Sequence, residues 1–276
     1  MAVVLVNFAS RAFVQSQRLN ALSGEAIGRC DRVESFGPRD IDRRFRRRNP
    51  DILGNGRGAG LWLWKPYFVH RVLRDLDEGD WLFYSDSGAL FIDSVHPLVD
   101  FASERDLDVL AFELLFLERQ YTKRDTFLLL GCDEPRFADT RQRLASFSLW
   151  RASSSALSLA QKWLAVAQDE RALTDLDNCL GKPNYPGWIE HRYDQSIFSL
   201  LTKKAGMPAF RDPSQFGMAH TADYPDSTYP TALHHTRARA NPSAPFGDRL
   251  RRTVVRRAHD LRRGRLKDAL SSRGEP

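Results

Sequence analysis

The sequence predicts an α/β fold, and three observations carry that prediction. The chain opens on an apolar, β-branched run, "AVVLVNFA", with the length and composition of a buried strand. A second such run, "WLFYSD", ends on the carboxylate of Asp86. Amphipathic segments surround them: Phe68, Val69, Val72 and Leu73 recur at three- and four-residue steps, as do Leu159, Trp163, Val166 and Ala167. Continuously apolar strands alternating with helices are what a sheet covered on both faces requires.

Taken in order, the first strand leads through a polar loop into a helix over "SQRLNALSGEAIG", and "RVESFG" supplies a short second strand. "PRDIDRRFRRRNPDILGNGRG" has little apolar periodicity and reads as a polar connector. Pro66, with its preset φ, suits the first turn of a helix that runs to Leu76 and stops at "DEGD". The "WLFYSD" strand follows, then "ALFID" and "DVLAFELLF" as further strands. "ASFSLWRAS" is another strand, "SALSLAQKWLAVAQDE" the clearest helix, and "RYDQSIFSLLTKKAG" a helix closed by Gly206. No internal repeat or low-complexity tract interrupts the first 236 residues, which are expected to form one domain.

Composition narrows the function classes. The 276 residues suffice for a substantial core without staples. Cys30, Cys132 and Cys179 are far apart and lack metal-site spacing, which favours a reducing, cytoplasmic setting. The opening run is too short for a signal sequence, and no stretch reaches the roughly 18 apolar residues of a spanning helix. The net charge of +6 is unevenly placed. Residues 237–276 carry twelve Lys/Arg against four Asp/Glu, leaving the rest of the chain at −2. There, "NPSAPFG" reads as a linker, and Leu250, Val254, Ala258 and Leu261 at helical spacing among arginines predict a basic amphipathic helix.

Several motifs are absent. "GNGRGAG" fits neither a dinucleotide fingerprint nor a Walker loop, and no nucleophile elbow or HExxH occurs. Asp-x-Asp appears four times, at Asp40/Asp42, Asp75/Asp77, Asp106/Asp108 and Asp175/Asp177, in contexts where solvated charge accounts for it. Asp86 is better placed. It ends an apolar strand and precedes Ser87-Gly88, a turn that lets a ligand approach the backbone. Lys65 stands beside a helix N-terminus among Trp62, Trp64 and Pro66, where an ammonium and free N–H groups together suit phosphate. Asp194 has two readings: a helix N-cap, or a group that acts on substrate. Trp163, on the apolar stripe of its helix, reads as core.

The ordered set "GAGLWLWKPYFV", "GDWLFYSDSG", "YTKRDTF", "ASFSLWRAS", "KWL" and "HRYDQSIFSLL" resembles bacterial nucleotide-sugar glycosyltransferases of the GT-A type encoded in surface-polysaccharide loci. The resemblance covers roughly residues 2–217. It implies a GT-A-like, Rossmann-type mixed sheet flanked by helices over residues 1–236, followed by the basic tail. It also implies sugar transfer from a nucleotide donor, foremost a UDP-sugar, to a glycan or lipid-linked acceptor in capsule or O-antigen synthesis. Phe8, Ala9 and Ser10 would approach the base or ribose, Asp86 and Ser87 the ribose, and Lys65 the diphosphate. Asp194 and Gln195 resemble the Asp-Gln pair that retaining families such as glycosyltransferase family 8 place beneath the anomeric carbon, with His191 and Arg192 binding phosphate or acceptor and Glu118 and Lys123 lining the acceptor side.

This sequence departs from the family at one point: "YSDSG" has Gly88 where the second Asp of a Tyr-x-Asp-x-Asp would stand. Mn²⁺ or Mg²⁺ would then depend on Asp86 with His234 or His235. The basic tail suits an anionic membrane surface, at about 1 kcal/mol per Lys or Arg, which would put the enzyme on the inner face of the membrane. Two rivals remain: nucleic-acid binding through the tail, which leaves the near-neutral body unexplained, and a glycoside hydrolase using Asp86 and Asp194 as paired carboxylates.

Overall fold

The computed structural model describes residues 1–235; the basic helix and linker expected over 237–276 lie outside them. The main sheet has six strands: β1 Val3–Phe8, β2 Arg32–Phe36, β3 Trp81–Ser85, β5 Val109–Leu117, β6 Arg141–Arg151 and β7 Ala209–Arg211. They lie in the order β2-β1-β3-β6-β5-β7, with β6 antiparallel to both neighbours and the other adjacent pairs parallel. A separate antiparallel ribbon joins β4 Ala89–Phe91 to β8 Leu233–His235.

The unbroken apolar runs follow from burial on both faces of the sheet. Side chains alternate along a strand. Val4, Val6, Leu82 and Tyr84 accordingly point into one core, with Phe68 and Val72 of the Trp64–Asp75 helix, Trp163 of the Ser154–Ala167 helix and Phe198 of the Tyr193–Lys204 helix. Val3, Leu5, Trp81 and Phe83 point the other way, against Leu98, Val99 and Phe101 of the His96–Glu104 helix and Phe91 of β4. The Val14–Ala26 helix packs through a polar and small face instead. Asn20 donates to Ser85 Oγ (3.0 Å) and the Ala89 carbonyl (2.9 Å) and accepts from Asn7 (2.8 Å). Any Cβ at Gly24 would fall 2.2 Å from Leu5, so glycine sets how closely this helix approaches β1.

The expected strands over "AVVLVNFA", "RVESFG", "WLFYSD", "ALFID" and "DVLAFELLF" form, as do the four expected helices. Elsewhere the structure differs from expectation. The polar connector contains the short helices Arg43–Arg48 and Pro50–Gly54, the first capped by the Asp42 carboxylate on the Arg44 and Phe45 amides, and a left-handed turn over Gly58–Leu61. β6 begins at Arg141, four residues before the expected run "ASFSLWRAS", because Gln142 and Arg143 are buried under the Tyr193–Lys204 helix. "HPLVDFASE" is a helix, and "LHH" is a strand. Among the described residues no helix is long and apolar enough to cross a membrane.

Candidate functional site

The site lies where the C-terminal ends of β1 and β3 meet the first turns of two helices, and both helix entries run through left-handed backbone. Gly58, Ala59, Gly60, Leu61 and Trp62 have consecutive positive φ values of 58°, 53°, 103°, 50° and 60°. For residues with a Cβ that conformation is costly and persists only where surrounding contacts enforce it. Trp64 Nε1 ties the segment down by donating to the Gly58 carbonyl (2.8 Å). Tyr193, just before Asp194, has φ 47°, and its ring meets Trp62 at 5.0 Å while its hydroxyl donates to Asp175 (2.7 Å). One strained entry therefore braces the other, and the two deliver Lys65 and Asp194.

Lys65 is 3% exposed. Its ammonium lies 3.1 Å from Asp194 Oδ2, 3.3 Å from Asp86 Oδ1 and 3.1 Å from the Ala145 carbonyl. The Ala145 carbonyl accepts one of its N–H donors, and the two carboxylates are its ion-pair partners. Burial works against its charge, but Asp194 and Asp86 together outweigh that and raise its pKa. The aspartates are not equivalent. Asp86 is about a quarter exposed at its side chain and accepts from Tyr84 Oη (2.7 Å), whereas Asp194 is buried. Burial pushes Asp194 up to about 6, with Asp86 adding to it and Lys65 opposing. Burial and then Asp86 push the Tyr84 phenol well above its usual range, so it stays a donor.

Three further contacts fix Asp194 and Gln195. Trp163 Nε1 donates to the Asp194 carbonyl (3.0 Å) from the core. Gln195 Oε1 accepts from the Ala145 amide (3.2 Å) and its Nε2 donates to Gln142 Oε1 (2.8 Å). Ala145 thus meets Gln195 through its N–H and Lys65 through its C=O, placing the pair on either side of one strand residue of β6. Asp194 is not the N-cap of its helix. Arg192 holds that position, and the Asp194 carboxylate reaches across to Lys65.

Several expected ligands sit elsewhere. Lys65 itself has the carboxylates of Asp86 and Asp194 as partners. The Phe8 ring is buried against Trp64 (3.9 Å, stacked), and Ala9 is buried with its amide on the Phe36 carbonyl, so their side chains belong to the core; Ser10 stays half-buried at the rim. Ser87 is buried and donates to the Phe8 carbonyl (2.6 Å), latching the Asp86 turn to β1. His191 is buried with both ring nitrogens on backbone: Nδ1 accepts from the Lys123 amide (3.2 Å) and Nε2 meets the Ala172 carbonyl (3.0 Å). Burial first, and Lys123 second, push it down to about 3. Arg192 lays its guanidinium on the Tyr121 ring and pairs with Glu190. Glu118 is fully buried, accepting from Thr122, Gln142, Ser199 and Lys203, and buried Lys123 donates to the Leu176 carbonyl. Both are scaffold rather than acceptor lining.

A divalent cation at Asp86 would share that carboxylate with the Lys65 ammonium, 3.3 Å away. The Lys65 ammonium lies between the two carboxylates, and Gly88 brings no side-chain ligand. β8 runs beside β4, with His235 opposite Ala89 and His234 opposite Leu90; successive strand residues face opposite ways, so the two histidines present to opposite faces of the ribbon. Among the described residues no three His, Cys, Asp or Glu side chains gather as a metal site needs.

Gln142, Tyr84 and Trp163 escaped notice in the sequence as site residues. Trp163 read as core, which it is; its indole N–H gives it the second role. No spacing in the sequence marks Gln142.

No protein-family model matches the chain, and no curated protein matches it. Among solved structures, an active-site mutant of LgtC is similar over 93% of this chain and 95% of its own, at 15% identity and a TM-score of 0.50. Galactosyltransferase LgtC in complex with donor and acceptor sugar analogues is similar over 93% and 95%, at 17% identity and 0.49. Mouse xyloside xylosyltransferase 1 is similar over 88% and 99%, at 10% identity and 0.46. At these identities the likeness is one of fold, and the six-stranded mixed sheet flanked by helices is a GT-A-like fold.

Proposed function

We propose that the protein is a glycosyltransferase that moves a sugar from a nucleotide-sugar donor, foremost a UDP-sugar, to a glycan or lipid-linked acceptor in surface-polysaccharide synthesis, with retention of anomeric configuration. The observation that carries this reading is the single buried ammonium of Lys65 joining the strand-end carboxylate Asp86 to the helix-entry carboxylate Asp194. Open α/β sheets bind ligands at the C-terminal ends of their strands, where Asp86 stands. Asp86, partly exposed, is suited to accept from ribose hydroxyls. Asp194 and the Gln195 amide are suited to stabilise positive charge on the reacting sugar ring, because preorganised groups in a dry site act without reorganisation. Lys65 keeps the two carboxylates close without mutual repulsion, and it supplies beside Asp86 the positive charge that a cation would. In this reading the basic tail docks the enzyme on an anionic membrane.

The test is calorimetric titration with UDP, GDP, CMP and their sugar conjugates, each with Mn²⁺ or with EDTA, on the wild type and Asp86→Ala. Binding of one nucleotide that is weakened about tenfold or more in Asp86→Ala, as loss of a charged hydrogen bond implies, supports the donor site. Equal affinity in EDTA supports Lys65 as the resident cation. If no nucleotide binds in either condition, the donor site is wrong and glycan hydrolysis becomes the assay to run.

A further inference from the structure

A second polar site lies along β6 from the first. Its centre is Arg143, 6% exposed, on a strand that lines a cleft of about 650 Å³ with Lys203, Lys204, Arg136 and Glu113. Arg143 Nη2 donates to the Met207 carbonyl, but its Nε and Nη1 are buried and have no hydrogen-bond partner. A guanidinium presents five N–H donors, and leaving charged donors unmet in a buried setting is costly. Burial lowers the Arg143 pKa to about 10, which still leaves it charged at neutral pH.

The neighbours do not meet that need. Glu113, opposite Arg143 in the β5–β6 register, accepts at Oε2 from Tyr224 (3.1 Å). Glu118 is held by Lys203 at 2.6 Å, and Arg136 pairs with Glu134 at 2.9 Å. Lys204 touches the Leu130 carbonyl at 2.5 Å, leaving two of its three donors for the cleft. The lining therefore has cationic donors left over, and the most buried of them is a guanidinium whose N–H edge suits a carboxylate or phosphate.

We propose that this cleft binds an oxyanion, a carboxylate or phosphate carried by the acceptor, through Arg143 with Lys204 at its rim. The acceptor assignment rests on the glycosyl-transfer reading; the oxyanion site itself does not. Its position favours the assignment. Gln142, next to Arg143, accepts from Gln195, and Ala145, two residues on and about 7 Å along the strand, holds both Gln195 and Lys65. Arg143 thus stands two strand residues from the backbone that holds the reacting pair.

The experiment titrates inorganic phosphate and, separately, glucuronate into the full-length protein, following binding by calorimetry with and without saturating UDP. Wild type, Arg143→Gln, Arg143→Lys and Lys204→Gln are compared, each with its melting temperature. The expected result is saturable binding of at least one probe, undiminished by UDP. It should weaken about tenfold or more in Arg143→Gln and less in Arg143→Lys, which keeps charge without the fork. The stronger probe identifies the acidic group of the acceptor. Lys204→Gln, at an exposed position, keeps the test open if Arg143→Gln fails to fold, and a fewfold loss is expected there. Binding that is equal in wild type and these variants, that UDP displaces, or that is absent for both probes overturns the site. Loss of nucleotide binding with phosphate binding intact would instead remove only the glycosyl-transfer reading.

Discussion

Trp62 and Tyr193 lie with ring centroids 5.0 Å apart while both hold left-handed backbone, φ 60° and 47°. The contact couples two strained helix entries whose next residues of consequence, Lys65 and Asp194, form an ion pair of 3.1 Å. Strain so placed acts as preorganisation: the surrounding packing holds the entries in conformations that isolated helices would not adopt.

Ala59 tests that strain. At φ 53° its Cβ is penalised by about 1–2 kcal/mol, more than the roughly 0.5–1 kcal/mol that glycine's extra unfolded-state freedom costs. Ala59→Gly is therefore expected to raise stability by up to about 1 kcal/mol in urea unfolding. An unchanged or lower midpoint would mean that neighbouring contacts, not backbone conformation, dominate at this position.

Removing Lys65 leaves two carboxylates without their shared countercharge, one of them buried. Lys65→Met is expected to cost about 3–5 kcal/mol, as breaking a buried pair from one side does. Adding Asp194→Asn removes the orphaned charge and should recover at least about 1 kcal/mol. Additive losses in the double variant would show that the two side chains do not interact in solution.

Asp194 should give the reaction a pH limb. With its carboxyl pushed up to about 6, the ionised form needed to stabilise positive charge is lost as pH falls through that value, so kcat should rise across about pH 6. Asp194→Asn should be slow and lack the limb. The same shift carries a stability signature of opposite sense. The folded state binds the proton more tightly than the unfolded chain, so this contribution is present below the ordinary carboxylate value of 3.8 and is lost as pH rises through about 6.

His191 works the other way. Held neutral down to about 3, against 6.5 when free, it stabilises the fold above pH 6.5 and loses that contribution as pH falls toward 3. The slope is about 1.4 kcal/mol per pH unit for one proton. Over the acid range the two groups offset each other. Subtracting the His191→Gln profile from wild type should expose a difference that falls with acidification, and a flat difference would place the imidazole in water.

Part of this architecture is legible without coordinates. β1 and β3 declare themselves because strands buried on both faces must be apolar throughout, and the 154–167 helix does so because a one-sided stripe repeats with the helical period. Asp86 and Asp194 stand out by where they fall relative to those elements. The His96–Glu104 helix, the polar start of β6 and the strand Leu233–His235 do not stand out, since short or polar segments take their structure from what covers them.

The sequence by itself determined the α/β layering, the carboxylate at a strand end and the Asp-Gln pair at a helix entry, because local periodicity and chain order encode these directly. Tertiary structure alone decided that β6 runs antiparallel, that Lys65 serves two carboxylates, that His191 is scaffold and that Arg143 has buried donors unmet. Each of those depends on a partner dozens of residues away. A side chain's charge, protonation and unsatisfied donors are set by the neighbours that folding brings, which the residue's own position in the chain does not specify.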